Sequence, residues 1–316
     1  MNKIRVGITM GDPAGIGPTI IAKALPQVKN LAEFIIIGDA RVFKRVQNLQ
    51  PLPQNYRFID LNNVSAKFFS FGKIKAEYGR AAVEYLDKAL ALIKAKEIDC
   101  LVTCPVSKEV IGLSGINFFG HTEYFAQRCG RKNLVMLLLN KYLKIALLTR
   151  HIALKEVPLN IKRKTLIATL KTTYLYLKKY FLIKNPHLII CGVNPHASDN
   201  GLIGTEENRI IKPVLKKFSK TLNLDGPLSA DIALYKVAKR EYDCALAMYH
   251  DQALIALKLT DVKSAVNMTL GLPFIRTSPL HGTAFDIAQK PDLADPHSLI
   301  AAIKVCIRCT LNLRKD

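Results

Sequence analysis

DCALAMYHDQALIALK, residues 243–258, is an apolar run that meets four polar side chains, Tyr249, His250, Asp251 and Gln252, before turning apolar again. Polar groups at the end of a buried strand are costly to desolvate unless they are paired or bound, so the run reads as a strand ending in a site. Two more histidines share the setting. His151 follows the apolar core at 145–148, and His196 follows the run at 188–193. In an open α/β sheet, ligands collect outside the carboxyl ends of the strands. Three imidazoles with an open position are a common way to hold a catalytic divalent ion. The alternative is three unrelated strand-end histidines, one in a cap and two on the surface, since their spacing matches no short metal motif.

A chain of 316 residues suits two domains better than one. Its formal charge of +21, from 46 Lys and Arg against 25 Asp and Glu, would attract nucleic acid, anionic membrane or a phosphorylated small molecule. The lysines are spread along helical stretches such as 161–184, and no nucleic-acid-binding signature is present. A solvated basic surface is the expectation, with neither nucleic acid nor membrane as partner. Seven cysteines contain a single CxxC, Cys306 and Cys309, with no second pair to complete a zinc site. Reduced thiols, no apolar leader and no membrane-length apolar stretch lead us to expect a soluble, cytoplasmic protein.

Working outward, residues 4–9 predict a first strand feeding Gly11-Asp12-Pro13-Ala14-Gly15-Ile16-Gly17-Pro18 and a helix over 19–25. That glycine-rich turn either presents backbone N–H groups to an anion or is purely structural, and it is not the GxGxxG fingerprint. A second strand is expected at 35–39, loops and edge strands over 48–70, a helix over 78–96 and a strand over 98–103. The last of these runs into the polar end 104–109, where Lys108 is a candidate anion contact or one more surface lysine. His121 and Thr122 precede a helix starting at Glu123, either touching substrate or, for Thr122, merely capping it. Residues 134–139 and 142–148 predict a strand pair turning at Asn140 and Lys141. Residues 226–231 read as a turn into a helix over 232–239. Arg276 offers a planar fork for phosphate or carboxylate. Helices are expected to start at 282–286 and to close the chain over 298–311.

The segments MGDPAGIGP, TCPVSKE, GHTEYFA, LLTRHIALKEVP, GVNPHASDNGLIGTEE, GPLSAD, YDCALAMYHDQALIALK and VNMTLGLPFIRTSPLHGTAFDIA run in order along nearly the whole chain. Together they resemble the 4-hydroxythreonine-4-phosphate dehydrogenases of vitamin B6 (pyridoxal phosphate) biosynthesis, the PdxA family. The resemblance implies two α/β/α domains, related in fold to isocitrate and isopropylmalate dehydrogenases, with the active site in the interdomain cleft. The expected division is 1–133 with 285–316 against 134–284, the second domain carrying the metal histidines and the homodimer contacts. It also implies NAD or NADP as cofactor, the nucleotide-binding residues being unassigned, and one divalent ion (Zn, Mg, Co or Mn) on His151, His196 and His250. His250 would be given across the dimer interface. His121, Thr122, Lys258, Asn267 and Arg276 would contact the substrate, and Lys258 or Asp251 would take the hydroxyl proton. Thr19, TCPVSK and HASDNG stand where many members have Glu, TAPINK and HAGEGG. These departures bear on substrate choice, and another phosphorylated hydroxy acid such as 4-phospho-D-erythronate stays open.

Overall fold

In the computed structural model, which describes residues 3–315, the apolar runs become eleven strands. They are β1 (Arg5–Thr9), β2 (Glu33–Gly38), β3 (Tyr56–Asp60), β4 (Cys100–Thr103), β5 (Val135–Leu139), β6 (Lys144–Leu147), β7 (His187–Cys191), β8 (Asn223–Leu228), β9 (Cys244–Ala247), β10 (Val266–Leu270) and β11 (Ile275–Pro279). The described chain divides into two units. One holds the residues up to Cys129 together with Pro273–Lys315, and the other is Gly130–Leu272. The return to the first unit falls earlier than residue 285, because β11 pairs with β4. Arg276 therefore belongs to the first unit.

The first unit is a parallel sheet in the order β3-β2-β1-β4-β11. Its inner strands are buried on both faces, as parallel sheets require, while the edge strand β3 is partly exposed. Every residue of β4 is buried, as are Val6, Ile8, Phe34 and Ile36 in β1 and β2. The helix Ala76–Lys94 turns Tyr78, Ala82, Tyr85, Leu86 and Ala89 inward at helical spacing. At about 1.5–3 kcal/mol for each large apolar side chain buried, such a face outweighs the modest helix propensity of its polar residues. Because the chain winds outward from β1 through β2 to β3 and then places β4 on the other side of β1, the strand order reverses there. The loops after β1 and β4 meet at that point, Asp12 N donating to Pro105 O at 2.9 Å. Residues 282–284 are irregular and 285–289 form turns rather than the expected helix, and Ala284 takes a left-handed φ of 47°, which helical backbone does not allow.

The second unit is mixed, in the order β10-β5-β6-β9-β7-β8. β5 runs antiparallel to both β10 and β6, the latter as the expected hairpin, with Asn140 Oδ1 accepting from Tyr142 N and Leu143 N to fix the turn. β6, β9, β7 and β8 are mutually parallel. Gly226 and Pro227 lie inside the edge strand β8 rather than in a turn. Proline's missing N–H is tolerated at an edge, and that tolerance hides the strand from a composition reading. The cationic helix Arg163–Phe181 buries Leu166, Leu170, Thr173 and Leu177 and leaves its lysines outward. Among the described residues no helix is long and apolar enough to cross a membrane.

Candidate active site

Parallel register brings the three histidines to one edge of the second unit. Leu147 of β6 pairs with Ala247 of β9, and Leu246 of β9 pairs with Ile190 of β7, so the three strands end level. His151, His250 and His196 lie just beyond those ends. The loops are tied together: Thr149 Oγ1 donates to Met248 O at 2.6 Å, and Gln252 accepts from Met248 N at 2.7 Å while donating to Gly192 O at 2.9 Å. Gln252 thus links the ends of β9 and β7.

His250 opens the helix His250–Asp261, so the polar quartet is a strand-to-helix corner and Lys258 sits on the same helix. Eight residues separate them in sequence, about 12 Å along the axis. Lys258 is exposed. His250 Nδ1 lies 2.7 Å from Asp251 Oδ1, which leaves Nε2 outward, the arrangement in which a carboxylate orients a coordinating imidazole. The His151 and His250 rings have centroids 5.4 Å apart. Two imidazoles on one ion at a metal–nitrogen distance of about 2 Å have ring centres about 5 Å apart, so this pair suits a shared ion.

His196 is reached differently. Residues 196–200 all take left-handed backbone, with φ between 43° and 74°, and none of them is glycine. Each such residue costs about 1–2 kcal/mol, so the turn persists only because its surroundings hold it. His196 lies close enough to the Asp231 carboxylate to help the Ser229 hydroxyl, the larger influence, in holding that carboxyl below its usual range. Among the described residues no three His, Cys, Asp or Glu side chains form a ready-made ion-holding group. The donor chemistry of the three imidazoles fits a borderline divalent ion, with two of them paired within this chain and His196 apart from them.

The first unit supplies the anion-binding groups. Arg276 on β11 is 1% exposed, its Nε and Nη2 donating to Thr103 Oγ1 at 3.1 and 2.5 Å. Burial lowers its proton affinity to about 9, partly opposed by the charge of Glu123. A buried guanidinium of this kind favours an incoming carboxylate or phosphate. His121 begins the helix His121–Arg128, whose cap is Gly120 at φ 144°, a value that calls for glycine, so Thr122 is inside the helix rather than its cap. Burial, with the Arg276 charge second, takes the His121 imidazole well below its usual range, and its Nε2 is shielded without a hydrogen-bond partner. In the second unit Asn267 Oδ1 is shielded and unpartnered in the same way. Lys108 is exposed, close to Gly120 and Glu123.

Several contributors have no distinct signal in the sequence. Thr103 reads as an ordinary strand residue, and Asp231 lies in the GPLSAD segment with no role suggested by its neighbours. Asp12 is fully buried, with Oδ1 accepting from Ala14 N at 2.9 Å and Oδ2 unpartnered, and burial pushes its carboxyl up to about 6. Glu207, which reads as a helix start, is wholly buried against the His196 loop.

Fold and side chains together define a two-unit α/β protein with three strand-end histidines in one unit, two of them 5.4 Å apart, and in the other a buried cation suited to a small anion. The family model for pyridoxal phosphate biosynthetic protein PdxA matches residues 21–306. A 4-hydroxythreonine-4-phosphate dehydrogenase of Sulfurihydrogenibium sp. is 40% identical over 96% of this chain and 98% of its own length. A D-threonate 4-phosphate dehydrogenase of Cupriavidus necator is 37% identical over 95% of each. The crystal structure of the 4-hydroxythreonine-4-phosphate dehydrogenase of Klebsiella pneumoniae superposes with a TM-score of 0.85 at 31% identity, covering 98% of this chain and 100% of that one. The chain belongs to the PdxA family.

Proposed function

We propose that this protein oxidises 4-phosphohydroxy-L-threonine at its C3 hydroxyl with NAD, and that the resulting β-keto acid loses carbon dioxide to give 3-amino-2-oxopropyl phosphate, a step of pyridoxal phosphate biosynthesis. The observation that carries the reading is the near full-length match to a 4-hydroxythreonine-4-phosphate dehydrogenase at 40% identity. His151, His196 and His250 would hold a divalent ion; the 5.4 Å spacing of the His151 and His250 rings favours both from one chain, and the expected alternative gives His250 across a homodimer interface. Support for that interface comes from the helix carrying His250, which leaves Ile255 62%, Leu259 82% and, just past its end, Val262 51% exposed. An apolar strip of this kind is what a subunit contact covers.

When bound, the ion supplies Lewis acidity toward the hydroxyl oxygen and later the new carbonyl, and NAD supplies the hydride acceptor. Arg276, fixed by Thr103, would bind the carboxylate or phosphate, and neutral His121 would offer Nε2 to the substrate, with Thr122 and Asn267 as further substrate contacts. Asp251 is occupied in orienting His250, which favours Lys258 as acceptor of the hydroxyl proton. Lys258 stands about 12 Å along the helix from its own chain's His250, so this role belongs to the alternative in which the site is shared between subunits.

A second reading, oxidation of D-threonate 4-phosphate, is favoured by the comparable identity to the Cupriavidus necator protein. The substrates differ in whether C2 bears an amino or a hydroxyl group. NADH formation is to be compared for 4-phosphohydroxy-L-threonine, D-threonate 4-phosphate and 4-phospho-D-erythronate under identical metal conditions. The aminated substrate is expected to lead by at least about tenfold in kcat/KM, about 1.4 kcal/mol. Preference for either hydroxy acid overturns the assignment.

A further inference from the structure

The loop that carries His196 is held in its left-handed form by one buried carboxylate. Glu207 is 0% exposed. Its Oε1 accepts from the backbone N–H of Val193 at 2.8 Å and of Asn194 at 2.9 Å, and its Oε2 accepts from the Asn194 side-chain amide at 2.8 Å. The same amide also donates to Glu206 Oε2 at 2.9 Å. Three donors converge on a charge with no access to water, so each bond is of the strong, charge-assisted kind. Downstream, Asn208 donates to Asn200 O at 2.7 Å, and Ile203 N donates to Ser198 O at 3.0 Å. Space has been cleared for this packing, since a Cβ at Gly192 would stand 2.9 Å from Ala197 Cα and 3.1 Å from Glu207 Oε1.

We propose that Glu207 is a positioning residue: by fixing the backbone of Val193 and Asn194, it imposes the left-handed turn at 196–200 and so sets the direction of the His196 imidazole. The turn contains no glycine, so its local preference is against the conformation it adopts. An external clamp is required, and Glu207 is the group bonded on the side where the chain leaves β7. The hydrogen bonds of its carboxylate go to Val193 and Asn194, so it acts through the loop. The consequence for metal binding rests on the reading of His196 as a ligand, whereas the consequence for the turn does not.

The test compares wild type with E207Q and with L86A, a cavity variant in the buried face of the first unit's helix Ala76–Lys94 that lowers stability. Gln keeps one acceptor oxygen but presents a second donor to the Asn194 amide. Amide hydrogen exchange and backbone chemical shifts of residues 193–200 are recorded on each protein, and cobalt(II) is titrated by its visible absorption. In E207Q, faster exchange at Val193 and Asn194, shifts at 196–200 moving away from left-handed values and cobalt affinity weaker by tenfold or more are expected, the last being typical of a lost second-layer contact. L86A should leave all three unchanged. Wild-type exchange and shifts in E207Q overturn the proposal. Should wild type itself take up no cobalt, the metal reading fails, and the exchange and shift data alone decide the role of Glu207.

Discussion

Replacing Arg276 by Met should separate stability from function. The guanidinium is buried beside Thr103, and burial lowers its proton affinity from the usual guanidinium range to about 9. At about 1.4 kcal/mol per pH unit, that corresponds to a cost on the order of 5 kcal/mol for carrying the charge inside the fold. At neutral pH the side chain is protonated in both the folded and unfolded chain, so the cost is fully present there. It is relieved only as pH rises from about 9 toward the usual guanidinium range, where the unfolded chain would bind the extra proton. Methionine fills much of the same volume without charge, and replacing buried ionic groups by apolar ones is often stabilising by about 1–4 kcal/mol. The R276M protein without substrate should melt at the same temperature as wild type or a few degrees higher, at about 2–4 °C per kcal/mol for a unit of this size. Turnover should go the other way. Loss of a buried, fixed cation facing substrate anion should lower kcat/KM by about 100- to 1,000-fold, some 3–4 kcal/mol. R276K, which keeps a charge but not the fork, should fall between the two. Thermal melts and NADH-coupled kinetics on the three proteins decide the matter. An R276M protein that melts far below wild type yet keeps its kcat/KM would refute the reasoning, making Arg276 a structural residue.

Asp12 should show the opposite pH signature to an ordinary paired carboxylate. Its folded value of about 6 lies above the unfolded one, so its stability contribution is present below pH 4 and lost as pH rises through 6. D12N should therefore gain stability over wild type at pH 7.5, by up to about 3 kcal/mol, and little at pH 4, in urea titrations. For His121 the folded value is depressed, so its contribution is present above the usual imidazole range and lost as pH falls below it. The H121N protein should lose less stability than wild type between pH 7.5 and pH 5, and an equal loss would contradict the buried neutral ring. Mixing inactive H151A and H250A subunits should restore some activity if each site borrows His250 from its neighbour; no recovery after demonstrated subunit exchange would place every ligand in one chain.

The strand ends were legible because an apolar run that stops abruptly at clustered polar side chains must either pair those groups or bind something with them, and parallel register then aligns the ends without further information. Gly226 and Pro227 hid β8, since the residues that mark turns elsewhere are admitted in an edge strand. Thr122 looked like a cap by residue type, whereas the cap is set by backbone conformation, and Gly120 has it. The turn at 196–200 could not be read at all: a left-handed run is signalled by glycine, and here the conformation is imposed from outside by Glu207, whose burial depends on packing across some fourteen positions of chain. Asp12 and Arg276 present the same limit, because residue type announces a charge but not whether water reaches it. The +21 charge was plain in the sequence, yet nothing in the structure explains it.

The most direct test of the central claim is a stoichiometry. The protein is incubated with NAD, a divalent ion and 4-phosphohydroxy-L-threonine labelled with carbon-13 at the carboxyl carbon, while NADH is followed by absorbance and labelled carbon dioxide by mass spectrometry. The account predicts one labelled carbon dioxide for each NADH, together with 3-amino-2-oxopropyl phosphate. NADH formed with the label retained in the product, or no NADH from this substrate under conditions where D-threonate 4-phosphate is oxidised, would contradict it.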